Sequence, residues 1–390
     1  MHEAMDRRAL ATLSAGHAGV DFASGAIPAL IPFLVAEFDL DYAAAGALML
    51  AVTASSSLVQ PLFGLWSDRR GALWLLPGGL ALAALGTGLV ALSPVYAAAL
   101  ALTFAAGIGI AAYHPEGAKF AAYASSERRA SGMSLFNVGG NLGYALGPIL
   151  VTPLVLWLGL AGGALAAVPA LIVAVVLARA LPTLATLRPE SALERNAEGD
   201  ARVGAMTILS AVIVLRSVAW FALLTFVPLW VVSQGGSEGE GNRELSLMLV
   251  AGVVGTLALG PVADRVGLRR TLLATQVALA PLILVFLEVG GSAGTLALMG
   301  VGFCVVGTFG ITIVLSQLYL PGRTGVASGI AVGLAMGIGG VAAVALGGLA
   351  DSVDLRTALV VAAAAPVLGA VLCLLLPAPQ PRLTARPVVA

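Results

Sequence analysis

Asp21 stands near the middle of an apolar stretch that runs from about residue 9 to residue 36. On insertion scales a charge at the centre of a bilayer costs about 3 kcal/mol. An ion pair, a water-filled cavity or an added proton relieves that cost. Desolvation favours the protonated carboxyl, so proton exchange is the chemistry such a residue offers; a static structural pair is the plainer alternative. His17 lies four residues earlier and shares a helix face with Asp21. Its imidazole either tunes and relays a proton or hydrogen-bonds a neighbouring helix.

Arg216 is the only basic residue deep inside an apolar stretch. Its planar fork of donors suits either an ion pair with Asp21 or an anionic ligand, and the two readings need not exclude each other. If a proton on Asp21 freed Arg216 for an anion, the two occupancies would be linked. Tyr113, His114 and Glu116 cluster around Pro115. Glu116 is three residues from Lys119, so it either takes part in proton chemistry or pairs with that lysine. Asn137 and Asn141 are four apart, with Phe136 and Tyr144 nearby. Such amides bind a solute, or bond across helices for about 0.6 kcal/mol each. Gln60, Gln317, Trp220 and Trp230 are weaker candidates, the tryptophans serving equally as interfacial anchors or packing.

Other chemistries find no residues to carry them. There is no Gly-x4-Gly-Lys-Ser/Thr phosphate loop, no His-Glu-x-x-His and no paired-cysteine motif. Of three histidines one is residue 2, and Cys304 and Cys373 both lie in apolar runs as small hydrophobes. An enzyme is not expected, nor a metal or any cofactor beyond a proton gradient as energy source. Net charge is zero, which leaves no basic surface for nucleic acid.

The elements that must hold these residues are membrane helices. Of 390 residues 59% are hydrophobic and 10% charged, against about 25% charged in a soluble domain. Apolar runs and turn signals place twelve spans near 9–36, 43–66, 73–93, 95–121, 131–158, 161–181, 205–233, 245–263, 271–290, 294–320, 326–350 and 357–377. Arg7 and Arg8 precede the first in the manner of a signal peptide. Its length, Asp21 and the lack of a small-x-small cleavage site make it a span instead. With both termini cytoplasmic, all 20 basic residues but Arg216, Arg243 and Arg356 fall on the cytoplasmic side. Gly325, Gly329, Gly333 and Gly337 form a smooth stripe that lets helices approach closely.

The chain also repeats. Gly64, Asp68, Arg69 and Gly71 recur as Gly260, Asp264, Arg265 and Gly267, an offset of 196 residues (260 − 64) that also pairs Ser14 with Ser210 and Pro32 with Pro228. Two six-helix bundles are expected, 1–181 and 205–390, joined by a polar cytoplasmic linker at 182–204. Parallel halves in a membrane chain place a transport site between them.

On these residues the chain resembles the major facilitator superfamily. Gly260 to Arg270 matches its loop signature Gly-x-x-x-Asp-Arg-x-Gly-x-Arg-Arg in full; the first copy has Ala72, Leu73 and Trp74 where the family has basic residues. Tyr113-His114-Pro115-Glu116-Gly117-Ala118-Lys119, Met133 to Gly143, and His17 through Asp21 to Leu34 are similar to the fosmidomycin-resistance branch of drug exporters. Gly143-x-x-x-Gly147-Pro148 is similar to the fifth-helix motif of proton-coupled antiporters.

The resemblance implies twelve helices in two pseudo-symmetric bundles that rock between inward- and outward-facing states. It assigns the two Asp-Arg turns to gating, alongside their role as topology anchors. It also implies a monomer in a bacterial inner membrane that exports a small anionic or amphipathic compound, fosmidomycin-like phosphonates among the candidates, against a flow of protons. The rival expectations are a proton-coupled importer of an organic anion and, from another class, a sensor or enzyme on a carrier scaffold.

Overall fold

The computed structural model describes residues 5–70, 72–126, 129–187, 201–321 and 324–378; the side chains of 68–70, 129–131, 324–326 and 328 fall outside that description. Among these residues every regular element is a helix, and none is a strand. The helices are α1 (Arg7–Phe38), α2 (Tyr42–Arg70), α3 (Leu75–Val90), α4 (Tyr96–Ser125), α5 (Arg129–Leu158), α6 (Ala167–Leu184), α7 (Val203–Ser233), α8 (Glu238–Val266), α9 (Leu268–Val289), α10 (Gly291–Gly307), α11 (Phe309–Tyr319), α12 (Thr324–Ser352) and α13 (Leu355–Leu375). Among the described residues eleven segments are long and apolar enough to cross a membrane, counting Gly291–Tyr319 as one, and Leu75–Val90 is a shorter apolar helix.

Two expected spans are not continuous helices. The tenth, read as 294–320, breaks at Thr308 between α10 and α11. Gly307 and Gly310 flank the break, and the Thr308 hydroxyl donates back to the Cys304 carbonyl at 2.8 Å, which competes with the helical ladder. The sixth opens with a 3₁₀ segment, Leu160–Ala166, before α6 begins.

α1 is the hub of the first six helices and packs along α5. Gly139, Gly143 and Gly147 repeat every four residues on α5, and a Cβ at each would run into the backbone of Ser14, Ala18 and Gly25 on α1. These glycines let two backbones touch where a side chain would hold them apart. The first six helices meet the rest mainly where α2 packs on α12 and α5 on α8.

The α2–α12 contact is one-ended. Residues 329, 333, 340 and 347 share one face of α12 at 3.6 residues per turn. Gly340 and Gly347 press on Leu50, Thr53 and Tyr42 of α2, and Gly46 of α2 presses on the Ala343 backbone. Nothing lies within 4 Å of the Cβ direction of Gly329, Gly333 or Gly337. The described part of the expected stripe therefore faces open space, Gly325 lying outside the described side chains, and the close approach falls about one to three turns further along. The helices meet at the end carrying the α1–α2 connection and part towards the end carrying Arg7 and Arg8.

Candidate functional site

Between the halves lies a cavity of about 330 Å³, lined from one side by His17, Asp21, His114 and Tyr144 and from the other by Arg216 and Phe309. The Asp21 carboxylate sits in the grip of two imidazoles. Oδ2 is 3.3 Å from His17 Nε2, and Oδ1 is 3.3 Å from His114 Nε2. Each imidazole is held by its other nitrogen: Nδ1 of His17 bonds the Phe136 carbonyl and Nδ1 of His114 the Ile110 carbonyl, both at 2.8 Å. The His17 ring also stacks on Phe136, with centroids 4.1 Å apart. Gly140 makes the room, since a Cβ there would strike both His17 and Asp21.

Among the described residues His17, Asp21 and His114 are also the one group whose ligand atoms lie close enough, within 4.8 Å of one another, to hold a metal ion.

Across the cavity Arg216 is 1% exposed. Its Nη1 donates to Thr308 Oγ1 at 2.7 Å, at the break between α10 and α11, and its guanidinium lies 4.7 Å over the Phe309 ring. Nε has no partner among the described residues. Of the two roles expected for Arg216, the ion pair with Asp21 is not formed: the aspartate is held by histidines, and among the described residues no acid pairs with the buried arginine. A buried cation lacking a counter-charge is costly and favours whatever anion reaches it.

Asn137, Asn141 and Tyr144 line the same cavity, and Asn141 reaches from α5 to Thr256 of α8 at 3.3 Å. Of the weaker candidates Gln60 and Trp220 line it and Gln317 and Trp230 do not, and two of the stronger ones also stand outside its wall. Tyr113 is buried between α4 and α1 and donates to the Leu13 carbonyl at 2.7 Å. Glu116, 1% exposed, accepts from Lys119 Nζ at 2.7 Å and from the Ser67 hydroxyl of α2. The lysine pair, one of its two readings, is thus present. The helix turn explains the placement: Glu116 lies two residues from His114, so when His114 faces the cavity Glu116 is carried some 200° around α4.

Of the expected gating residues, Gly64 and Gly260 face nearly open space and Asp264 and Arg265 are exposed. Gly267 joins α8 to α9 at φ 104, where a side chain would be strained. Gly71 and the side chains of Asp68 and Arg69 lie outside the described residues. Thr308, Phe309 and Gly140 escaped the reading of the sequence. The run Gly307-Thr308-Phe309-Gly310 inside an apolar span was the signal for the first two, because interrupted spans mark binding sites in carriers. Gly140 is one of many glycines and had none.

Residues 13–343 match the model of the Major Facilitator Superfamily. The chain belongs to that superfamily. Its members are transporters, and this chain is a multi-pass membrane transporter rather than an enzyme. It is 32% identical over 372 residues to the uncharacterized MFS-type transporter YfnC of Bacillus subtilis (strain 168), and 30% identical over 369 residues to the fosmidomycin resistance protein of Escherichia coli (strain K12). Each alignment covers 92% of this chain and 90% of the relative. The fold matches a bacterial homolog of the human lysosomal transporter Spinster, in an inward-facing and unoccupied conformation, with a TM-score of 0.76 at 15% identity over 95% of this chain and 97% of that one. It also matches a mutant of the nucleoside transporter NupG, at 0.72 and 13% over 94% and 99%.

Proposed function

We propose that this chain exports small organic anions of the phosphonate class from a bacterial cytoplasm, working as a monomer in the inner membrane and driven by protons through Asp21. The observation that carries the anion is Arg216: a buried guanidinium with no acid beside it among the described residues, in the wall of the cavity between the halves. Planar donors of this kind match the oxygens of a phosphonate or carboxylate. The relative that confers fosmidomycin resistance supports the choice of phosphonates. Proton coupling is supported by an aspartate and two imidazoles on the opposite wall of the same cavity. With the arginine-rich end in the cytoplasm, the parting of α2 from α12 is an inward-open state, ready to load from inside.

Import of an organic anion is the second reading, and one observation favours it. Protons held at the triad add positive charge opposite Arg216, so proton and anion help rather than displace each other.

Purified protein in liposomes decides between them. Fosmidomycin and a panel of organic anions and cations are offered while internal pH is recorded, for wild type and Asp21→Asn. Proton movement opposite to the anion, abolished in Asp21→Asn, is expected for export. Movement in the same direction selects import, and anion flux without protons removes Asp21 from the coupling path. A cation moved in place of anions would overturn the role given to Arg216.

A further inference from the structure

The two contacts of Asp21 are chemically odd as they stand. A carbonyl oxygen only accepts, so His17 Nδ1 and His114 Nδ1, bonded to Phe136 and Ile110, each carry a hydrogen. In a neutral imidazole the other nitrogen is then a bare lone pair. Both Nε2 atoms point at oxygens of one carboxylate, which is itself acceptor-only when ionised. Without added positive charge three acceptors face one another in a largely buried pocket, an arrangement that repels. One proton repairs one gap and leaves the other.

We infer that His17, Asp21 and His114 form a site for two exchangeable protons, one in each Nε2···Oδ gap. It rests on the proton-driven reading above and adds a count to it; the direction of substrate movement does not enter. The filled state carries two imidazolium donors on one carboxylate, or one imidazolium and a carboxyl group donating to the other ring. Emptying it changes the local charge from +1 to −1.

The groups around the site leave that count to these three residues. From α4 only Tyr113 accompanies His114, and its hydroxyl is spent on Leu13. From α5 comes Tyr144, with the amides Asn137 and Asn141. From α7 comes Arg216 across the cavity. α3 has no titratable residue, Arg179 of α6 is exposed, and α2 and α8 present Ser56, Gln60 and Thr256 to the cavity, their charged residues lying at the helix ends.

Two measurements test the count. In liposomes with membrane potential clamped at zero, each proton carried per cycle multiplies the substrate gradient held at static head by about tenfold per pH unit. Wild type is expected to hold about 100-fold, His17→Gln and His114→Gln about tenfold each, and Asp21→Asn none. A tenfold gradient in wild type, or a 100-fold gradient that survives His114→Gln, overturns the proposal.

The second needs no transport. With His2→Gln the chain keeps two histidines, so ¹⁵N-histidine NMR reads each Nε2 by itself. Both Nε2 atoms should gain a proton on acidification in the wild-type triad, and lose their mutual dependence in Asp21→Asn. A histidine whose Nε2 stays bare, or a spectrum altered by a chelator because a metal ion fills the triangle, overturns it. If wild type moves substrate with no protons at all, the driving force proposed above fails, and the NMR titration still decides the two-proton site.

Discussion

Asp351, at the end of α12, accepts a hydrogen bond from the backbone N–H of Tyr42 at 2.8 Å, with its other oxygen taking that of Ala43 at 2.9 Å. Those N–H groups open the first turn of α2 and have no partner within their own helix. One half of the transporter thus caps a helix of the other, at the end where α2 and α12 pack closely. A cap of this kind is worth about 1 kcal/mol, or about a fivefold change in population. Asp351→Ala is expected to raise the fraction of molecules separated at that end by about this factor, read as spin-label distances between α2 and α12. An unchanged distance distribution would show that the clasp does not hold the gate.

Glycines on the same pair of helices should respond in opposite ways. Gly46→Val places methyls against the Ala343 backbone and is expected to force the closed end apart. Gly333→Val puts its Cβ where nothing lies within 4 Å and should leave this state intact. In the alternate state, where the parted ends must close, the same valine is expected to obstruct. Cysteine labelling at the two mouths checks both: Gly46→Val opens one and Gly333→Val keeps the other open.

Gly140→Ala inserts a single methyl where His17 and Asp21 lie. Overpacking costs about 1–3 kcal/mol, and here the side chains that must yield are the triad itself. Proton-linked transport is expected to fall at least tenfold while membrane insertion and helix content are retained. Normal transport in the alanine variant would mean that the triad tolerates displacement.

Arg216→Met should separate binding from stability. Losing charge-assisted bonds to an anion costs about 1.5–3 kcal/mol each, so binding of the transported anion is expected to weaken about tenfold or more. The melting temperature should hold or rise, because a buried unpaired charge is removed and a side chain of similar length fills the space. A large loss of stability would mark Arg216 as a structural residue bonded through Thr308.

Outside the membrane, Asp354 caps α13 by accepting from the Thr357 N–H at 2.7 Å, and that bond holds its carboxyl below the ordinary value of 3.8. A depressed carboxyl contributes its stability fully above the unfolded value and loses it as pH falls through the folded one. Thermal unfolding in detergent should therefore show a wild-type advantage over Asp354→Ala that is constant above about pH 5 and shrinks below 3.8. An advantage that persists unchanged at lower pH would contradict the cap.

The repeat of Gly64 at Gly260, the twelve apolar runs and the intramembrane charges Asp21 and Arg216 were legible in the sequence. Their causes are local: composition, spacing along one chain, and the cost of a charge in lipid. His17 and Asp21 were paired by the same kind of reasoning, since four residues make one helical turn. What joined them to His114, 93 residues further on (114 − 21), was the packing of α4 and α5 on α1, where Gly139 and Gly143 let the backbones meet. The same packing turned Glu116 towards Ser67 of α2, and the break at Thr308 gave Arg216 a partner other than Asp21. A single sequence gives each residue its chemistry and its place on a helix. Which residues face one another is set by the rotation of each helix about its axis and its depth against its neighbours, and those depend on contacts between residues far apart in the chain.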